Sequence, residues 1–199
     1  MRLLDSAQTS SSAGPPTRGT LQQALPGQAL FPPSLVMSLY YGGGEMDWLF
    51  RTEDAWQNLI VRVTLGVVMF PHGAMKLFGW FGGGGVSATL AIFSQNYHIP
   101  AFLTLLVIAA ESIGALGLIA GFATRLCAFG IFCDMIGAVY LVHWPHGFFM
   151  NWFGNQHGEG FEYHLLVIGM ALALMITGGG RLSLDALIAP KPYHKRISL

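Results

Sequence analysis

Four apolar blocks, at about 55–78, 100–122, 124–144 and 161–176, follow one another with almost no charge inside them. A helix needs roughly 20 residues to cross the hydrocarbon layer. The first three blocks reach that length, and the fourth approaches it with its cleanest run at 165–176. Inside lipid each backbone N–H and C=O must be satisfied within the segment or its partners, so segments of this kind fold as helices. Composition supports the same reading: 53% of the 199 residues are hydrophobic and only 10% are charged, against about 25% charged in soluble domains. That is too little charge to cover a water-facing surface. The sequence therefore predicts an all-α integral membrane four-helix bundle with short outer loops. Formal net charge is zero and no basic stripe is present, so the expected partner is the lipid bilayer and not nucleic acid.

The ends of the blocks carry local signals. Asp54 and Gln57 have capping-box spacing ahead of the first. Pro100 suits the first turn of the second and Gly121 its end; Pro145 stops the third, and Gly178-Gly179-Gly180 close the fourth. The run Gly82–Gly85 is not a phosphate loop, because no Gly-Lys-Ser/Thr follows it; it predicts a turn out of the first helix. Residues 1–50 differ in kind. They are rich in Ser, Thr, Gly and Pro between Thr9 and Gly19 and are broken again by Pro26, Pro32 and Pro33. No apolar signal-peptide core follows Arg2, so this stretch predicts a cytoplasmic or interfacial arm, with Leu35–Tyr41 and Trp48-Leu49-Phe50 suited to the membrane surface. Residues 51–189 form the predicted transmembrane domain and 190–199 a cytoplasmic tail. Cys127 and Cys133 would lie about 9 Å apart along one helix and on different faces, which makes a disulfide between them implausible; both read as buried and inert.

Lys and Arg placement predicts the orientation. Arg2, Arg18 and Arg51 precede the first helix, Arg125 lies between the second and third, and Arg181, Lys191, Lys195 and Arg196 follow the fourth. The other two connections, 79–99 and 145–160, contain neither residue, and Lys76 alone sits at their end. The alternation fits an even number of spans with both termini in the cytoplasm of a bacterial inner membrane.

That topology assigns depths. Arg62 falls in the inner half of the first helix, with Glu111 and Asp134 near the midplanes of the second and third. A charge at that depth costs roughly 2.5–3.5 kcal/mol on insertion scales, so these three midplane groups are expected to face the interior. Arg62 is the expected partner of Glu111 or Asp134; an ion pair or protonated carboxyls that only hold helices together would serve equally. On the outer side, five of the seven histidines gather with acidic residues. Within that group His72, Lys76, His143, Glu162 and His164 are candidates for one polar pocket able to exchange protons with a quinol, with Phe70, Phe78 and Phe148 lining a path for an apolar tail. Separate residence in the headgroup layer is the alternative. No tight ligand spacing such as HExxH is present, so no metal is expected.

Several elements in order form a recognisable set: Arg62-x-x-Leu65-Gly66 and Phe70-Pro71-His72-Gly73-x-x-Lys76-Leu77-Phe78-Gly79; Glu111-Ser112-x-Gly114; Ala120-Gly121-Phe122-Ala123-Thr124-Arg125; Asp134-Met135; Gly147-Phe148-Phe149; and Gly178-Gly179-Gly180-Arg181-Leu182-Ser183-Leu184-Asp185. This set resembles the DoxX family of small four-helix bacterial membrane proteins, over about residues 55–189. The resemblance implies a quinone-related or redox-partner site and protein partners in a membrane redox or energy-conversion complex. Quinone is the cofactor it implies. The residues themselves assign no reaction: a cysteine pair, a haem-attachment motif and a dinucleotide fingerprint are all missing, and no covalently bound cofactor is expected. An accessory structural subunit without chemistry is the competing expectation, and a small-molecule transporter a third.

Overall fold

The computed structural model describes residues 47–189. The expectations for Leu35–Tyr41, for most of the N-terminal arm and for the 190–199 tail lie outside these residues. Seven α-helices are found among the described residues, without a strand: α1 (Asp47–Phe50), α2 (Trp56–Phe78), α3 (Gly85–Tyr97), α4 (Ala101–Ala120), α5 (Thr124–His146), α6 (Glu162–Thr177) and α7 (Leu184–Ile188). Helices α2, α4 and α5 are long and apolar enough to cross a membrane; α6 is apolar but shorter, about 24 Å at 1.5 Å per residue. Their outer faces expose Ile60, Val67, Leu105, Leu116, Ile136, Leu166 and Ile176, an apolar surface that lipid and not water would solvate.

The four long helices close into a ring. Helix α2 packs on α4 and α6, and α5 packs on α6 and on the middle of α4. The core between them is built of Leu65, Met69, Ala115, Leu118, Ala128, Ile131, Met135, Val167, Ala171 and Leu174. Small residues let the backbones approach, which is how helices pack where lipid offers no hydrophobic gradient. Gly66 and Gly73 are seven residues apart and so share a face of α2. A Cβ on Gly66 would lie 2.7 Å from the Ala115 carbonyl oxygen, and one on Gly73 only 2.3 Å from that of Glu111. These two glycines fix the register of α2 against α4.

Several local expectations are corrected. The first connection is more than a turn: after a 3₁₀ turn at Trp80–Gly82, the 13-residue α3 packs beside α2 and the start of α4. Asp54 and Gln57 form no capping box. The N-cap position of α2 is Ala55, without a side-chain cap, and Asp54, one residue too early, accepts from Arg181 Nε at 2.6 Å. Two long helices also contain π-helical turns, Ala110–Gly114 in α4 and Val139–His143 in α5. Such turns often mark functional positions, because the extra residue re-aims side chains.

The two ends of the bundle are distinguished by their polar residues. At the arginine end, Arg62 is 1% exposed and donates to the carbonyls of Leu118 (3.0 Å), Ile119, Gly179 (2.9 Å), Arg181 (3.3 Å) and Leu182 (2.7 Å). The first two are among the last carbonyls of α4, where helical partners run out; the Leu118 carbonyl also accepts from the Gly121 N–H at 3.1 Å. Arg125 does the same for α6 through Met175 (2.9 Å) and Ile176 (2.8 Å), and also donates to the Trp48 carbonyl. Asp185 accepts from the N–H groups of Ala123 (2.7 Å) and Thr124 (2.9 Å) at the start of α5. It thereby holds the turn between α4 and α5, where Gly121 (φ 69°) and, unusually, Ala123 (φ 46°) are left-handed.

Candidate functional site

A cavity of about 1080 Å³ opens between α4 and α5 toward the opposite end, which we call the histidine end. Its apolar wall comes from Ile92, Phe93 and Tyr97 of α3, Leu103, Leu106 and Val107 of α4, and Phe129, Cys133 and Leu141 of α5. Its polar wall gathers His72, Lys76, Glu111, Asp134, His143, Glu159, Tyr163 and His164. Apolar walls with a few convergent polar groups describe small-molecule sites in general, and the volume stands near the top of their usual range of roughly 300–1,000 Å³.

The polar wall is assembled from all four long helices. Lys76 follows Gly73 by three residues, so it shares the face that Gly73 presses onto Glu111. Its ammonium pairs with the Glu111 carboxylate, which is 4% exposed and sits in the π-turn of α4. From α5, which packs on the π-turn of α4, Asp134 lines the same wall as Glu111; its Oδ2 is buried without a hydrogen-bond partner among the described residues. From α6, His164 is 6% exposed and its Nδ1 is also unpartnered. The His164 ring lies 4.0 Å, centroid to centroid, from that of His143, whose Nδ1 is 2.8 Å from the Glu159 carbonyl oxygen. His72, exposed on α2, stands at the margin of the same cavity. Two of the four buried unpartnered side-chain atoms in the described chain thus belong to residues of this one wall.

The residues expected at the outer pocket and at the midplane are therefore partly merged and partly separated. His72, Lys76, His143 and His164 line the cavity together with Glu111 and Asp134. Glu162 does not: its Oε1 accepts from Met150 N (3.1 Å) and Trp152 Nε1 (3.0 Å) and pins the loop before α6. Two residues on a helix point about 200° apart, so Glu162 and His164 cannot face one cavity. Arg62 pairs with neither acid. It is spent on backbone carbonyls at the far end, and Lys76 is the cation that meets Glu111. Depth counted from the helix ends misplaces these partners, because the contacts of Gly66 with Ala115 and of Gly73 with Glu111 set the height of α2 on α4. The expected Phe70, Phe78 and Phe148 do not line the cavity, and Phe93 and Phe129 do. Cys133, expected to be buried, is exposed on the cavity wall, and both cysteines are free. Glu159, one of the acids expected among the outer histidines, lines the wall, and Tyr163 completes it unforeseen; for Lys76–Glu111 the available signal was the Gly66/Gly73 pair.

The DoxX family model matches residues 58–144, a stretch that includes His72, Lys76, Glu111, Asp134 and His143 but ends before His164. A protein of Bacillus subtilis (strain 168) named "Putative oxidoreductase CatD" is 32% identical over 131 residues, covering 66% of this chain and 86% of the relative. No solved structure matches the chain.

Proposed function

The chain belongs to the DoxX family, and from that premise we propose that it is a redox-associated membrane protein whose α4–α5 cavity receives a quinone headgroup, as a subunit of a larger electron-transfer assembly. The observation that carries this reading is the pair of unpartnered buried atoms, His164 Nδ1 and Asp134 Oδ2, on the polar wall of a roomy and otherwise apolar cavity. A buried polar atom without a partner costs about 1–3 kcal/mol, a cost that persists where a ligand or water repays it. The residues fit such a headgroup. His164, His143 and the free N–H bonds of Lys76 would hold its oxygens, and Phe93, Leu106 and Phe129 would flank its apolar ring and tail. When bound, a quinone supplies two-electron, two-proton redox chemistry. The chain's own part is to orient the headgroup, keep bulk water from it and exchange protons at the imidazole and carboxyl groups. The name of the Bacillus relative agrees with a redox role.

The proposal extends to orientation: the arginine end faces the cytoplasm and the histidine end the periplasm of a bacterial inner membrane, as the Lys and Arg distribution favours. Cysteines placed singly at 153 or 157, in a background lacking Cys127 and Cys133, should react with an impermeant thiol reagent from outside, and one at 181 should not. The central test is gentle purification from native membranes, followed by identification of bound lipophilic molecules and co-purifying proteins. Bound quinone, displaced by a soluble headgroup analogue and lost when Ala138→Phe fills the cavity, is the expected result. A stoichiometric protein complex with no quinone would instead assign the chain an accessory structural role.

A further inference from the structure

We infer that Glu111 and Asp134 hold one exchangeable proton between them, and that the histidines at the mouth of the cavity are its route to and from the histidine end. The inference rests on the reading of this cavity as a site of proton-coupled chemistry and adds the groups that carry the proton.

The charge count makes the case first. Lys76 contributes one positive charge from α2, and Glu111 and Asp134 contribute two carboxyl groups from α4 and α5. Arg62 and Arg125, the other Lys or Arg residues of the spanning helices, are engaged at the arginine end. One ammonium neutralises one carboxylate. A second bare carboxylate within the apolar layer would cost roughly 2.5–3.5 kcal/mol, and it would stand against a like charge. A single proton on the pair removes both costs.

Hydrogen bonding makes the case independently. Asp134 Oδ2 is buried and has no donor among the described residues, while the neighbouring Glu111 carboxyl can only accept when it is ionised. Two carboxylates side by side cannot hydrogen-bond; a carboxylic acid beside a carboxylate can, and strongly. A proton between them therefore supplies the partner that Asp134 lacks, while Glu111 keeps Lys76.

The route follows from the rest of the wall. His164 of α6 and His143 of α5 stack at 4.0 Å, and His143 Nδ1 meets the carbonyl of Glu159 in the exposed loop. His72 of α2 faces the same space. Each neutral imidazole carries one donor and one acceptor nitrogen, so it can take a proton on one side and release it on the other. Water within a cavity of this size and polarity bridges the remaining gaps. Tyr163 lines the same wall, with its hydroxyl donating to the Met69 sulfur at 3.7 Å.

The test is infrared spectroscopy of the purified full chain in lipid nanodiscs, with no quinone added. At neutral pH a protonated-carboxyl stretch should be present, shift in D2O, and disappear in Asp134→Asn and in Glu111→Gln. Asp134→Asn mimics the protonated acid in shape and charge, so it should keep the melting temperature of the parent; if one variant fails to fold, the other and the parent band still decide. His164→Phe should keep the band and slow its H/D exchange at least tenfold. A parent spectrum without the band, or a band untouched by both substitutions, overturns the proton site. Unchanged exchange in His164→Phe overturns the route. Quinone binding is measured separately: a band without quinone binding defeats the reading of the cavity, and quinone binding without the band defeats this inference.

Discussion

The arginine end and the histidine end of the bundle bury similar amounts of polarity and use it in opposite ways. At the arginine end two guanidinium groups and a carboxylate are matched to backbone groups that helix ends leave over: Arg62 to α4 and the 178–182 loop, Arg125 to α6, and Asp185 to the start of α5. Its two unpartnered atoms, Asn58 Nδ2 and Thr124 Oγ1, belong to neutral side chains packed against Gly180 and Gly179. At the histidine end the charged and titratable groups point to one another around open space, and Asp134 and His164 retain unmet capacity. A polar group that completes the backbone is a fastener. One that is left incomplete beside a cavity is available for chemistry.

The largest effect should come from breaking the fastener. Arg62→Ala leaves four carbonyls without the donor that Arg62 supplies, while that of Leu118 keeps the Gly121 N–H, and at about 1–3 kcal/mol for each buried acceptor the loss should reach roughly 4 kcal/mol or more. Monodisperse protein on fluorescence-detected size exclusion should fall to a small fraction of the parent. Neutralising Glu111 or Asp134 in addition should not restore it, because neither is the partner; recovery in the double variant would show that the arginine serves the acids after all.

The contact that joins the two regions ranks second. Gly73→Ala would place its Cβ 2.3 Å from the Glu111 carbonyl oxygen, forcing α2 from α4 at a cost of about 1–3 kcal/mol and separating Lys76 from Glu111. Gly169→Ala in α6, where nothing lies within 4 Å, should be neutral or slightly stabilising, since alanine favours a helix over glycine by up to about 1 kcal/mol. Thermal denaturation in detergent compares the two directly; equal melting temperatures would refute the register argument. Asp185→Asn ranks third. It keeps the shape of the cap, but its amide oxygen can accept from only one of the two N–H groups and its NH2 meets the other as a second donor, so stability should fall by about 1–2 kcal/mol.

The same contrast explains which features could be read from the chain. Long apolar helices announce themselves because lipid imposes one rule on all of them, and the blocks at 55–78, 100–122 and 124–144 match α2, α4 and α5 to within two residues at each end. Helix α3 gave no such signal: it is short, and the glycines before it read as a turn. Residue types at the site were visible, but their partners were not. Arg62 binds backbone carbonyls, which every residue possesses and no sequence distinguishes. Lys76 reaches Glu111 because Gly73 sets the height of one helix on another, a register that depth arithmetic from the helix ends misplaces. Glu162 was separable from His164 by helical phase alone, and only the expectation that acids and histidines cluster had kept them together.

The smallest effect on stability should accompany a large effect on binding, at His164. In a fully partnered interior, replacing a buried polar side chain strands its partner and destabilises the fold. His164 Nδ1 has no partner to strand among the described residues, and the cavity beside it gives a phenyl ring room. His164→Phe removes a polar atom whose burial is unfavourable and keeps the stacking surface against His143, so stability should change by less than about 1 kcal/mol in either direction. Binding of a quinone headgroup analogue should nevertheless weaken at least tenfold, because the aromatic replacement offers neither donor nor acceptor. The melting temperature and the binding isotherm of one preparation decide the matter together. A drop in stability comparable to that of Arg62→Ala would mean that His164 is a fastener too, and the distinction between the two ends would fail at its most exposed point.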